Sequence, residues 1–212
     1  MSAEQRVAAQ IAELGASLFG RSLTFGRTGN LSAKVADDRI LLTPTGVSLG
    51  RLDPDALSVI DLDGQHVDGA KPSKEAFLHA AVYRSRPGAG AVVHLHSTHA
   101  VAVSCLAGVD PADVLPPLTA YYVMRVGRLP LLPYHAPGDT SLEGLAEKTA
   151  LDHSSFLVAN HGSIVAGTDL AAAADAAEEL EETARLFLLL RGHSTRPLTH
   201  DQVDDLNRRY PS

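Results

Sequence analysis

The apolar residues of this chain switch repeatedly between the period of a helix and the short runs typical of strands, and that interleaving confines the chain to a single α/β unit. Val7, Ile11, Leu14, Leu18 and Phe19 recur at helical spacing behind Ser2 and Gln5, a pair whose types and separation suit a capping box, and Gly20 ends the segment. From Gly26 to Pro54, short β-like pieces such as Arg39 to Leu42 alternate with Gly, Asn, Asp and Pro, as strands joined by tight turns do. Leu57 to Leu62 continues the pattern. Pro72 beside Ser73 predicts the first turn of a second helix, with Phe77, Leu78, Ala81 and Val82 as its apolar stripe and Pro87-Gly88 as its end. Ala89 to Leu95 reads as a buried strand, Ala100 to Leu106 as the start of another helix, and Ser155 to Ala159 as a further strand. In the longest helical pattern Leu170, Ala173, Ala174, Ala177, Leu180, Ala184, Phe187 and Leu188 share one face, opposite Glu178, Glu179, Glu181 and Glu182. No segment repeats and none has the composition of a linker. Residues 1–212 are therefore expected to form one domain, with a core over about 4–192 and a helical tail over 193–212.

Charge narrows the function. The 25 acids outnumber the 18 lysines and arginines, for a net charge of -7, whereas nucleic-acid modules concentrate basic residues. A composition of 45% apolar and 20% charged residues is that of a globular protein and sets aside disordered and fibrous classes. Cys105 stands alone, which precludes an intrachain disulfide and a cysteine-based zinc cluster and fits a reducing cytoplasm. Met1 to Phe19 carries acids among its apolar positions, so it reads as an amphipathic helix and not as a signal peptide. No stretch approaches the roughly 18 apolar residues of a membrane span.

Three of the ten histidines sit where they could act together. In Val92-Val93-His94-Leu95-His96 the period of two on a strand aims both imidazoles at one face, a chelating spacing. Two hydrogen-bonded histidines at a strand end would look the same. His161 follows the apolar run Phe156-Leu157-Val158, so it too is placed at a strand end, and catalytic zinc takes ligands from separate, converging elements. Read alone, His161 is equally a turn residue. His66, His193 and His200 lie in polar surroundings and read as surface residues. Glu75 falls in the expected first turn of the second helix, where the helix dipole alone favours an acid; near a bound dication the same carboxylate could ligate the ion or carry a proton.

Thr28-Gly29-Asn30-Leu31-Ser32, Thr43-Pro44-Thr45-Gly46 and Ser73-Lys74 are polar turns rich in small residues. Backbone amides freed by glycine, hydroxyl donors and a lysine are the groups that hold a phosphate monoester, although each turn by itself is common.

With His94-Leu95-His96-Ser97 and Asn160-His161-Gly162 added to Gly29-Asn30-Leu31-Ser32, Thr43-Pro44-Thr45-Gly46 and Pro72-Ser73-Lys74-Glu75, the chain resembles the class II aldolase/adducin family from about the first helix to Arg191. Within it, Lys74, the segment from His94 to Cys105, Val123-Met124-Arg125, Pro133-Tyr134 and Pro137-Gly138-Asp139 resemble the 3-oxo-tetronate 4-phosphate decarboxylases. The resemblance implies a three-layer α/β/α fold around a mainly antiparallel sheet, assembled as a homotetramer with active sites between subunits. It implies one zinc ion per subunit, replaceable by manganese or cobalt, on His94, His96 and His161, with Glu75 as a further ligand and proton carrier. Phosphate would fall to Asn30, Thr45, Gly46 and Ser73, with Lys74 where related aldolases carry a second serine. Tyr121 resembles a tyrosine of the decarboxylase branch, and Arg125 is the candidate for a substrate carboxylate or, equally, a structural ion pair.

The implied activity is loss of carbon dioxide from a 3-oxo-tetronate 4-phosphate, leaving the enediolate of dihydroxyacetone phosphate stabilised by the metal. An aldolase of the L-fuculose-1-phosphate kind shares that intermediate and differs in releasing an aldehyde. An epimerase of the family would need a Thr-His-Ala-Asp stretch that is missing here. An adducin-like binding module would not be expected to retain His94, His96, His161 and Glu75 together.

Overall fold

The computed structural model describes residues 1–210. Its strands are β1 (Asn30–Ala36), β2 (Arg39–Leu42), β3 (Ser58–Ile60), β4 (His66–Gly69), β5 (Ala91–Leu95), β6 (Leu131–Leu132), β7 (Ser155–Val158) and β8 (Gly162–Gly167), and its helices α1 (Ala3–Gly20), α2 (Ala76–Ser85), α3 (Thr98–Ser104), α4 (Ala120–Arg125), α5 (Glu143–Asp152), α6 (Leu170–Leu189) and α7 (His200–Arg209). The strands form one sheet in the order β4-β3-β2-β1-β5-β8-β7-β6. Every pairing is antiparallel except that of β6 with β7.

Both faces of the sheet are covered. Leu31, Ala33, Val93, Leu95 and Val165 pack with Ile11 and Leu18 of α1, Val103 of α3 and Leu180 of α6. On the opposite face Ile40, Leu42, Val92, Phe156 and Ile164 pack with Phe77, Leu78 and Val82 of α2 and Ala146 and Ala150 of α5. All five residues of β5 are buried, which is why that strand reads as a continuous apolar run. Each fully buried Val, Leu or Ile contributes about 1.5–3 kcal/mol relative to exposure, so the two faces fix the register of the central strands. Alternation along β5 then puts His94 on the face of Val92, toward α2.

The expected capping box is formed: Ser2 Oγ accepts from the Gln5 amide and the Gln5 side chain accepts from that of Ser2. The second helix differs from expectation. It begins at Ala76, so Pro72 and Ser73 precede it and Glu75 is its N-cap residue. Pro72 instead bridges Pro44, the Thr45 amide donates to Lys71 O, and the Ser73 hydroxyl accepts from the Glu75 amide, which turns the chain before the helix can start. Four further elements had no strong periodic signal: α4 spans only six residues, α5 buries only two alanines, β4 is exposed, and β8 is bounded by glycines. In the tail, the Leu198 amide donates to Pro117 O and α7 packs on α4; residues 211 and 212 lie outside the described residues. No helix among the described residues is long and apolar enough to cross a membrane.

Candidate metal centre

The strand ends converge where the sheet passes from β1 through β5 to β8. Asn30 pairs with His94 across one ladder and His94 with Ile164 across the other. His96 continues the side-chain alternation of His94 just past the end of β5. His161 is delivered by the turn between β7 and β8, where Asn160 takes a left-handed φ of 56° and its own backbone amide donates to Ser104 O. Gly162 follows because no larger residue fits: a Cβ there would lie 2.3 Å from Leu95 O and 3.2 Å from the His96 ring. Gly29, at φ 79°, meets the same constraint, since its Cβ would stand 2.9 Å from His94 O.

Glu75, His94, His96 and His161 thus present one ligand atom each, all within 4.8 Å of one another. His94 Nδ1 donates to Ser163 O at 2.8 Å, which in the neutral ring leaves the Nε2 lone pair facing His96 Nε2 at 3.0 Å and Glu75 Oε2 at 3.3 Å. His161 Nε2 lies 2.9 Å from Glu75 Oε1, but the angle makes no hydrogen bond, so this buried nitrogen has no partner. Lone pairs that face one another without intervening protons repel. Three imidazole nitrogens and a carboxylate converging in this way fit a borderline divalent cation such as zinc, and the Ser163 carbonyl supplies the outer contact that fixes the tautomer.

Burial acts against charge throughout the cluster. It would raise the Glu75 carboxyl, yet positive charge on His94, the closeness of the His161 ring and the hydrogen bond from Asn30 prevail and hold it well below the usual carboxylate range. His94 is drawn down by burial and pushed up further by Glu75, with a net rise. His96 falls to about 3 through burial and the charges of His94 and His161. The carboxylate is therefore an acceptor, and the imidazole of His96 is available as a neutral ligand.

Beside the cluster lie the polar turns. Asn30 Nδ2 donates to Glu75 Oε2 at 2.8 Å and to Ser73 Oγ at 3.1 Å, so both its amide hydrogens are engaged. The Pro44–Pro72 bridge sets Thr45 and Gly46 next to Ser73, and a Cβ on Gly46, at φ 74°, would meet nothing within 4 Å. Lys74 is exposed, with the loop at Gly138 against its side chain.

Tyr121 and Arg125 are not brought to this cluster within one chain. Both sit on α4, which leans on α6 across the sheet from α2; Arg125 pairs with Asp175 and lies 5.9 Å from the Tyr121 ring centroid. Two residues unmarked by sequence reasoning, His79 and Tyr83, join the site from beneath, together with Ser32, which was read as part of a polar turn and is instead a fully buried residue of β1. His79 of α2 donates from Nε2 to Asn30 Oδ1, while its Nδ1 meets Ser32 Oγ at 2.7 Å, and Ser32 Oγ meets Tyr83 OH at 2.9 Å. Glu75, His79 and Tyr83 are spaced i, i+4, i+8, and Asn30 and Ser32 i, i+2, so a polar stripe on an otherwise apolar helix face was the available signal.

Residues 9–188 match the model of the class II aldolase and adducin N-terminal domain. A 3-oxo-tetronate 4-phosphate decarboxylase of Haemophilus influenzae is 49% identical over 93% of this chain and 94% of its own length. An L-fuculose phosphate aldolase of Methanocaldococcus jannaschii is 35% identical over 85% of this chain and 94% of its own. The crystal structure of YgbL from Klebsiella pneumoniae superposes with a TM-score of 0.94, at 45% identity, covering 97% of this chain and all of that one. With the sheet, the imidazole cluster and this match in agreement, the chain is a member of the class II aldolase and adducin family.

Proposed function

We propose that the protein is a zinc-dependent 3-oxo-tetronate 4-phosphate decarboxylase that forms dihydroxyacetone phosphate and carbon dioxide. What carries the choice over the aldolase is the step in similarity: 49% identity to a decarboxylase against 35% to an aldolase, each over most of both chains. His94, His96 and His161 would hold the cation, which would supply Lewis-acid stabilisation of the negative charge that develops as carbon dioxide leaves.

The protein's own residues do the rest. Thr45, Gly46, Ser73 and Lys74 anchor the phosphate, and Asn30 can exchange the Ser73 hydroxyl for a phosphate oxygen without releasing Glu75. Glu75, hydrogen-bonded beside the cluster, is the group that would take a proton from water and deliver it to C2 as the enediolate collapses to the ketone. We assign Tyr121 and Arg125 to the site of a neighbouring subunit in a homotetramer, because α4 lies across the sheet from Glu75. To receive the substrate carboxylate, Arg125 must share or leave Asp175. The acidic charge and single cysteine fit a cytoplasmic enzyme.

Supplying the zinc-loaded protein with a 3-oxo-tetronate 4-phosphate and measuring both products tests the reading. Release of carbon dioxide and dihydroxyacetone phosphate in equal amounts is expected. Cleavage of L-fuculose 1-phosphate with no decarboxylation would replace it with the aldolase.

A further inference from the structure

With His79 neutral, as its burial favours, the contacts below Asn30 have one consistent set of proton positions. Glu75 accepts hydrogen bonds as a carboxylate, so the atom of Asn30 that faces it is the amide nitrogen, and Oδ1 points the other way. Oδ1 can only accept, so His79 Nε2 carries a hydrogen. A neutral ring with its proton on Nε2 accepts at Nδ1, so Ser32 Oγ donates to it, and the Ser32 oxygen in turn accepts from Tyr83 OH. His79 is 1% exposed, Tyr83 2% and Ser32 fully buried, so water cannot substitute for a missing link.

We propose that His79, oriented by Ser32 and Tyr83, is a positioning residue that locks the Asn30 amide so that Nδ2 serves Glu75 and Ser73 at once. Without the His79 donor, the Asn30 amide can turn over and set its oxygen against the carboxylate, two acceptors in contact. Glu75 then loses one of its hydrogen bonds and the phosphate turn loses its tie to Ser73 in the same motion. The hydrogen bonds of the His79 ring go to Asn30 and Ser32 and not to the candidate cation ligands, so it acts through Asn30. The kinetic consequence rests on the decarboxylase reading, whereas the proton positions do not.

Two experiments decide it. Neutron diffraction from deuterium-exchanged crystals of the unmodified, zinc-loaded protein should place deuterium on His79 Nε2 and on the Asn30 nitrogen facing Glu75. Deuterium on His79 Nδ1 alone, or an Asn30 oxygen facing Glu75, would overturn the proposal whatever the substrate. In the decarboxylation assay, His79→Met should lower kcat by about 10- to 100-fold, the range for an outer contact that orients an active group, with bound zinc unchanged. His79→Gln, whose amide can still donate toward Asn30 Oδ1, should recover most of that loss. Equal losses in both variants at normal zinc content, or no loss in His79→Met, would refute a positioning role. If the unmodified protein releases no carbon dioxide, the functional reading fails and the neutron result still judges the proton positions.

Discussion

At the scale of single residues, the proposed function divides holding a cation from moving a proton between the imidazoles and Glu75. His94 is buried between Glu75, His96 and the Ser163 carbonyl, so His94→Ala removes one nitrogen and unpairs the other groups; elemental analysis should find no retained metal. Glu75→Gln preserves shape and keeps the three imidazoles, so metal content should hold while kcat falls by about 10²–10⁴, the range for a general acid–base group. Unimpaired turnover in that variant would take Glu75 out of its role. His79 gives a third prediction, in stability. Burial, with the charge of His94, depresses its folded pKa from the ordinary 6.5 of an imidazole to about 3, so between those values the unfolded chain binds a proton that the folded ring refuses. Stability is therefore whole above about pH 6.5 and lost as pH falls toward 3, by at most about 1.4 kcal/mol per pH unit for this one group. Urea titrations of the metal-free protein at pH 6.5 and 5 should show a shallower loss in His79→Gln than in the parent. Identical slopes would mean that His79 is not the group refusing the proton.

Elements succeed or fail as signals according to how much of their burial is local. The capping box of α1, the buried run of β5 and the acidic-backed stripe of α6 carry their periodicity in their own residues and were legible. α5 and β8 were not, because α5 is held by small side chains against α2 and β8 by glycines that admit its neighbours. The ligand spacing His94-x-His96 was readable from a strand's alternation, while the convergence of His161 and Glu75 depends on the β7–β8 turn and on the bridge that delays the start of α2. Least legible of all was the cap of α3. Ser97, its N-cap residue, spends its hydroxyl on Leu23 O, and Glu181 of α6 reaches over to accept from the His99 and Ala100 amides and the His99 ring. That carboxylate ties the helix directly after His96 to α6, its neighbour in the same layer of the fold. Glu181→Ala leaves the buried Ala100 amide and the half-buried His99 amide unpaired, at a cost of about 1–3 kcal/mol, and should lower Tm by several degrees at fixed zinc, roughly 2–4 °C per kcal/mol for a chain this size. A Tm within about 1 °C of the parent would show that water satisfies those amides instead.

For the whole molecule, one chain places Glu75 on one side of its sheet and the Tyr121–Arg125 pair on the other. Tyr121 is 60% exposed with no hydrogen bond among the described residues, and Arg125 beside it is exposed and held only through Asp175. A side chain with an apolar ring and a polar tip left open in this way suits a contact between copies, and in closed symmetric assemblies one contact supplies the same group to every site. If Tyr121 of one subunit completes the site built on Glu75 of its neighbour, the two defects belong to different chains of each site. Glu75→Gln and Tyr121→Phe should then each be poorly active alone, yet unfolding and refolding them together should produce some sites with both normal residues. Random mixing of equal amounts would restore about a quarter of the parent activity, since each site draws its two residues independently. Were both residues to act within one chain, every site in the mixture would carry one defect or the other and no activity would return. Full activity in Tyr121→Phe alone would remove the tyrosine from the reaction and leave the neighbour's contribution, if it exists, to Arg125.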